Sequence, residues 1–253
     1  MMTEQEALFD YCLRIGDSSL IIGHRLSEWC GHGPILEEDI AIINVSLDLV
    51  GQARSVLDYA GKVEGKGRSE DDLAYLRDVT FYRNHLLCEQ PNGDYGKTIV
   101  RQFLFDSFHY FFLNELVNSK DQFFSGYAEK SLKEVTYHMQ HSTKWMLRMG
   151  DGTEESHGRV QEPLNDLWRF TGEFFAVNEV DEILTSKGIA VDLNKIKPKW
   201  EQYVRSIVQE ATLILPTNNW EQLGGKEGRH TEHLGFILAE MQFLPRAYPD
   251  ATW

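Results

Sequence analysis

The stretch from Thr98 to Gly150 constrains the fold more than any other part of the chain. Apolar residues recur at helical spacing on both sides of Ser119–Asp121, which predicts two long α-helices with a break there. The first helix is apolar nearly all round, yet it carries Asp106 and His109 on that surface. A buried carboxylate is costly unless it is paired, hydrogen-bonded or bound to a metal. The stretch therefore predicts a helical core that holds polar groups.

The second helix of this stretch adds more polar groups on one face. Glu134, His138 and His141 share that face with Tyr127 and Trp145. A neighbouring face is aliphatic, as expected for a helix that packs into a core. We expect His109, His138 and His141 to be buried polar partners of the acidic side chains.

The rest of the chain also predicts helices. One helix runs from about residue 4 to 29 and a second from about 35 to 62, with a core stripe of Ile40, Ile43, Leu47 and Val50. A third helix is predicted from about 70 to 87, and smaller ones follow residue 150. No hairpin pattern stands out. The prediction is an all-α, ferritin-like four-helix bundle with additional peripheral helices, forming a single domain over residues 1–253.

Charge and cysteine content narrow the function classes. The formal net charge of -14 disfavours nucleic acid and anionic membranes as partners. The three cysteines, without a CxxC pair, favour neither a disulfide framework nor a thiolate metal site. The acidic start of the chain lacks a signal-peptide pattern, and no apolar run is long enough to span a bilayer. We therefore expect a cytoplasmic protein.

One carboxylate on each of the four long helices resembles a di-iron site. These residues are Asp17, Asp48, Asp106 and Glu134. Such a site needs Glu-x-x-His on two of the helices, because positions i and i+3 direct both donors to a common point. Here Gly51 follows Asp48 and Tyr137 follows Glu134 at that spacing.

The sequence therefore predicts vestigial di-iron positions at Asp17, Asp48, Gly51, Asp106, Glu134 and Tyr137. We expect no metal, catalytic or cofactor-binding residue in this chain. The alternative is an autonomous di-iron oxygenase or oxidase with an irregular site formed by Asp17, Asp48, Asp106, His109, Glu134 and His138. The E-x-x-H spacing of Glu227 and His230 falls among glycines, which favours a loop and helix cap over a metal site.

Several short stretches carry a family resemblance. They include Leu13–Asp17, Glu89–Gly93, Leu167–Thr171, Gly188–Asp192 and Gly224–Gln242, and they cover the chain from end to end. In these stretches the sequence resembles the PaaC family of subunits of the bacterial ring 1,2-phenylacetyl-CoA epoxidase, the multicomponent monooxygenase of phenylacetate degradation.

The resemblance implies a ferritin-like structural subunit without catalytic iron. Its implied partner is a PaaA-type catalytic subunit that holds the di-iron centre and binds phenylacetyl-CoA. A reductase with FAD and an iron-sulfur centre would supply electrons from NADPH. A homodimer is expected when the chain is alone.

Overall fold

The computed structural model describes residues 2–217, 220–249 and 251. Their secondary structure is helical and contains no strand, which confirms the all-α prediction. Three short 3-10 helices cover Val79–Phe81, Trp168–Phe175 and Gly225–Glu227. The ten α-helices of the described residues are α1 (Glu4–Ser27), α2 (Leu36–Glu64), α3 (Glu70–Tyr75), α4 (Tyr95–Leu116), α5 (Gln122–Gly150), α6 (Glu154–Leu167), α7 (Glu179–Ser186), α8 (Leu193–Glu210), α9 (Glu232–Met241) and α10 (Phe243–Ala247).

Side-chain caps fix where several of these helices begin. Thr3 and Glu6 form a capping box at the start of α1. Asp121 accepts hydrogen bonds from the backbone N–H groups of Phe123 and Phe124, so α5 begins just after the predicted break. The prediction of a third helix as far as residue 87 is wrong, because α3 ends at Tyr75 and the chain continues as turns and a 3-10 helix.

The chain separates into two compact units. The first comprises the residues up to Pro91 together with those from Gly224 onward, and the second comprises Asn92–Leu223. The single domain over residues 1–253 stays a prediction. Of that range, residues 1, 218–219, 250 and 252–253 lie outside the described residues.

The first unit is built on the pair α1 and α2. Buried apolar residues of α1, such as Tyr11 and Ile22, pack against a face of α2 that includes Val45 and Leu49. The helices approach closely at Gly16, where an added Cβ would lie 2.9 Å from Leu57 Cδ2. A larger side chain there would have to displace Leu57, which explains a glycine in the middle of a long helix.

The predicted core stripe of α2 is wrong. Ile40 and Leu47 are 52% and 63% exposed, and the buried face instead carries Ile42, Val45 and Leu49. Both faces of α2 are apolar, so periodicity alone could not choose between them. By length and composition α2 could cross a membrane, but 44% of its most apolar window is buried inside the protein.

The second unit is centred on α4. Helices α5, α6 and α8 pack against it, which explains why 16 of its residues are buried. The Phe108 ring stacks on Phe174, with centroids 4.3 Å apart. The buried Trp200 donates a hydrogen bond from Nε1 to Ser107 Oγ at 2.9 Å. The apolar character of α4 on all sides follows from this enclosure.

Candidate functional site: the buried polar groups of the long helices

Asp17 on α1 is fully buried and paired. Arg77 donates from Nη1 to Asp17 Oδ2 at 3.0 Å and from Nη2 to Oδ1. The backbone N–H of Arg83 donates to Oδ2 at 2.8 Å. Three donors therefore satisfy the carboxylate, so its role in the first unit is to fix the irregular segment after α3.

Arg77 links this pair to the C-terminal helices of the same unit. Its guanidinium lies over the Tyr82 ring, 4.2 Å from the centroid. Gln242 Nε2 donates to the Arg77 carbonyl at 2.8 Å and to the Tyr82 hydroxyl at 2.9 Å. Sequence reasoning missed Arg77, because no local pattern relates it to a residue 60 positions earlier.

On α2 the predicted site positions do not face the interior. Asp48 is half-buried, while Gly51 is exposed and an added Cβ would meet nothing within 4 Å. The placement of Gly51 inside the protein is therefore wrong. The buried pair at i and i+3 is Leu49 and Gln52, one residue further along the helix.

On α4 both predicted polar residues are buried. Asp106 is 2% exposed and His109 is 4% exposed. Gln102 Nε2 donates to Asp106 Oδ1 at 3.4 Å, a long hydrogen bond. Burial raises the pKa of Asp106 to about 6, and nearby His138 and the Ser142 hydroxyl partly oppose that rise.

His109 is held in its neutral form. Burial lowers its pKa to about 3, and the neighbouring His138 lowers it further. Its ring packs against Phe105, with centroids 5.2 Å apart. Its Nδ1 atom has no hydrogen-bond partner in the described part of the chain. His109 therefore behaves as a core residue beside Asp106 and His138.

On α5 the structure separates the predicted residues. His138 is buried, at 1% exposure, but Glu134 and His141 are half-buried and Tyr137 is 48% exposed. The predictions of a buried His141 and an interior Tyr137 are therefore wrong. The buried pair at i and i+3 is Val135 and His138, again one residue further along than predicted.

These residues do not fit a di-iron centre. Such a centre takes a carboxylate and an imidazole one turn apart from each of two helices. The interior positions of that spacing hold Leu49 with Gln52 on α2 and Val135 with His138 on α5. Among the described residues, no three His, Cys, Asp or Glu side chains come together in a group that could hold a metal ion.

A second buried carboxylate, Glu89, was missed by the sequence reasoning. It is fully buried and has four hydrogen-bond contacts, which are Asn84 Nδ2 at 2.9 Å, His230 Nδ1 at 2.8 Å, Thr231 N at 2.6 Å and Thr231 Oγ1 at 2.7 Å. His230 Nε2 also lies 3.0 Å from the Tyr82 carbonyl, which can only accept. Glu89 therefore fixes the segment that leads into α9.

The segment around His230 confirms one prediction. Gly225–Glu227 is a 3-10 helix, Gly228 has a φ of 77°, and Thr231 is the N-cap of α9. The E-x-x-H spacing of Glu227 and His230 thus marks a loop and a helix start. The one signal for Glu89 was its place in the Glu89–Gly93 stretch that carries the family resemblance.

Comparison with known proteins agrees with this helical architecture. The sequence profile of the family described as phenylacetic acid catabolic protein (PaaA_PaaC) matches residues 1–253. The chain is 45% identical over 243 residues to the subunit designated C of the 1,2-phenylacetyl-CoA epoxidase of Escherichia coli strain K12, covering 96% of this chain and 98% of that protein. The ferritin-like fold predicted from the sequence is that of the family. The chain belongs to the PaaA_PaaC family of phenylacetic acid catabolic proteins.

Proposed function

We propose that this chain is a non-catalytic structural subunit of a 1,2-phenylacetyl-CoA epoxidase complex in the cytoplasm. It would support a di-iron catalytic subunit of the PaaA type. The observation that carries the proposal is the pair of aliphatic residues, Leu49 and Val135, where interior carboxylate ligands would be needed. The di-iron centre, NADPH, FAD and iron-sulfur chemistry would then belong to other subunits.

An exposed apolar surface on α2 supports the subunit role. Leu36, Ile40 and Leu47 are 72%, 52% and 63% exposed, and Ile43 and Val50 beside them are only partly buried. We call these five residues the α2 seam. Their spacing alternates between four and three residues, the pattern by which one helix packs along another.

The partner we assign to the α2 seam is a helix of the catalytic subunit. The names of the family and of the Escherichia coli relative indicate related chains that act as lettered subunits of one epoxidase. Exposed apolar rows of this kind mark interaction surfaces more often than solvent-facing ones. A related helical partner could offer a matching row, and pairing would remove the seam from water.

Purification of this chain alone and with the catalytic subunit tests the proposal. We expect no stoichiometric iron and no epoxidase activity for the chain alone, and a co-eluting complex whose iron resides in the partner. Leu47→Lys should weaken that complex without unfolding the chain. Ile214→Lys is the matched control, because Ile214 is also exposed, at 73%, but lies in the other unit.

The same experiment separates the alternative of an autonomous di-iron oxygenase. About two irons per isolated chain, with an oxo-bridged absorption band and oxygen activation, would establish that alternative and overturn the proposal. Equal effects of Leu47→Lys and Ile214→Lys on the complex would remove the α2 seam from it.

A further inference from the structure

The exposed face of α5 is a basic stripe in an otherwise acidic protein. Between residues 130 and 148 the exposed positions of this helix are Lys130, Lys133, Tyr137, Gln140, Lys144 and Arg148. None of the six is acidic, whereas the whole chain has a formal net charge of -14. We call Lys130, Lys133, Lys144 and Arg148, together with Tyr137, the α5 stripe.

Helical spacing places these side chains on one side of α5. Their separations of three, four, seven and four residues follow the helical repeat, and the stripe is about 27 Å long at ~1.5 Å per residue. The neighbouring acidic side chains on α5 are the exposed Glu129 and the half-buried Glu134. The stripe is therefore a continuous cationic row rather than scattered charges.

The cations of the stripe are not used within the protein. In the part of the chain that the structure describes, Lys130, Lys133, Lys144 and Arg148 form no ion pair with an acidic side chain, although Arg148 lies 5.2 Å from the centroid of the Trp145 ring. By contrast, Lys62, Lys66 and Lys199 pair with nearby carboxylates. The positive charge of the α5 stripe therefore remains available to a partner.

Tyr137 gives the stripe an aromatic centre. It is 48% exposed, and its ring lies 6.0 Å from that of His141, measured between centroids. Tyrosine and arginine are enriched among residues that dominate the energy of protein interfaces. An aromatic anchor flanked by cations matches a protein surface that carries carboxylates around an apolar contact.

We propose that the α5 stripe binds a second protein partner of the complex through an acidic face of that partner. The proposal rests on the proposed function, because it assumes a multi-subunit assembly. The net charge of -14 disfavours polyanions such as nucleic acid and anionic membranes, whose extended charge is repelled by the whole chain. A local acidic protein face can instead pair with the stripe alone, which increases the association rate and its salt dependence.

Binding of each separately purified subunit of the epoxidase complex tests the proposal, at about 50 and about 300 mM NaCl. We expect at least one subunit to bind more weakly at the higher salt concentration. Lys133→Glu/Lys144→Glu should weaken that binding at low salt by at least about tenfold and reduce its salt dependence. Tyr137→Ala should also weaken it, whereas Tyr137→Phe should retain it.

The matched control is Lys195→Glu/Lys197→Glu, which changes the net charge equally on α8 of the same unit. Those lysines are exposed and make ion pairs of 3.9 and 4.0 Å at most, so their reversal should leave the fold intact. Circular dichroism checks that both double variants fold.

The proposal fails if no subunit binds in a salt-dependent manner, or if the two double variants bind alike. It also fails if Lys133→Glu/Lys144→Glu instead abolishes binding to DNA, to anionic vesicles or to a second copy of this chain. Stoichiometric iron in the isolated chain would overturn the proposed function but would leave this binding measurement unaffected, so the two failures are distinguishable.

Discussion

Replacing Asp106 by asparagine should stabilise the protein at neutral and alkaline pH. Asp106 is 2% exposed, and burial raises its pKa from the ordinary 3.8 to about 6. The folded protein therefore binds the Asp106 proton more tightly than the unfolded chain does. Stability from this group is fully present below pH 3.8 and is lost as the pH rises through about 6.

The size of this effect follows from the two pKa values. Ionised Asp106 should cost about 3 kcal/mol at pH 8 and only about 1 kcal/mol at pH 4.5. Asparagine retains an oxygen that can accept the Gln102 hydrogen bond but carries no charge. The gain in stability from Asp106→Asn should therefore be larger by up to about 2 kcal/mol at pH 8 than at pH 4.5.

Urea unfolding followed by circular dichroism at several pH values measures this difference. Asp166→Asn, at an exposed position of α6, is the matched control and should show no comparable dependence on pH. A gain for Asp106→Asn that is independent of pH, or a loss at pH 8, would refute the argument. The carboxylate would then be stabilised by its surroundings rather than retained at a cost.

Three further predictions concern the other buried polar groups. Arg77→Met should destabilise the protein by about 3 to 5 kcal/mol, because it leaves Asp17 buried without its ion pair, and Asp17→Asn in the same chain should restore part of the loss in urea unfolding. Glu89→Ala should cost about 2 kcal/mol or more and increase hydrogen exchange at the start of α9, whereas exchange in α5 should not change. His109→Phe should reduce the loss of stability as the pH falls from about 6.5 towards 3, because wild-type His109 is neutral when folded and binds a proton when unfolded; an unchanged acid transition in urea would contradict this.

The long helices could be predicted from the sequence because their apolar spacing is strong and their ends carry local signals. The predicted first and second helices differ from α1 and α2 by at most two residues at either end. The break before α5 follows from Asp121, which caps the helix through its own neighbours. Such features depend only on residues within one or two helical turns.

The irregular segment after α3 could not be predicted in this way. Leu86 and Leu87 suggested that the helix continues, because both are apolar and both are buried. The contacts that fix this segment are distant in sequence, since Arg77 pairs with Asp17 and Glu89 contacts His230. A local pattern carries no information about partners 60 and 141 residues away.

The most consequential error in the candidate site is a shift of one residue, which turns a helical side chain by about 100°. On α2 and on α5 an acid precedes an aliphatic residue, as Asp48 precedes Leu49 and Glu134 precedes Val135. Sequence alone favours the acid as the interior residue, whereas the structure buries the aliphatic neighbour in both helices. The missing ligands are then the two carboxylates, and α5 retains an interior imidazole at His138. Because bridging carboxylates hold the two irons together, their loss argues against a metal centre more strongly than the loss of histidines would.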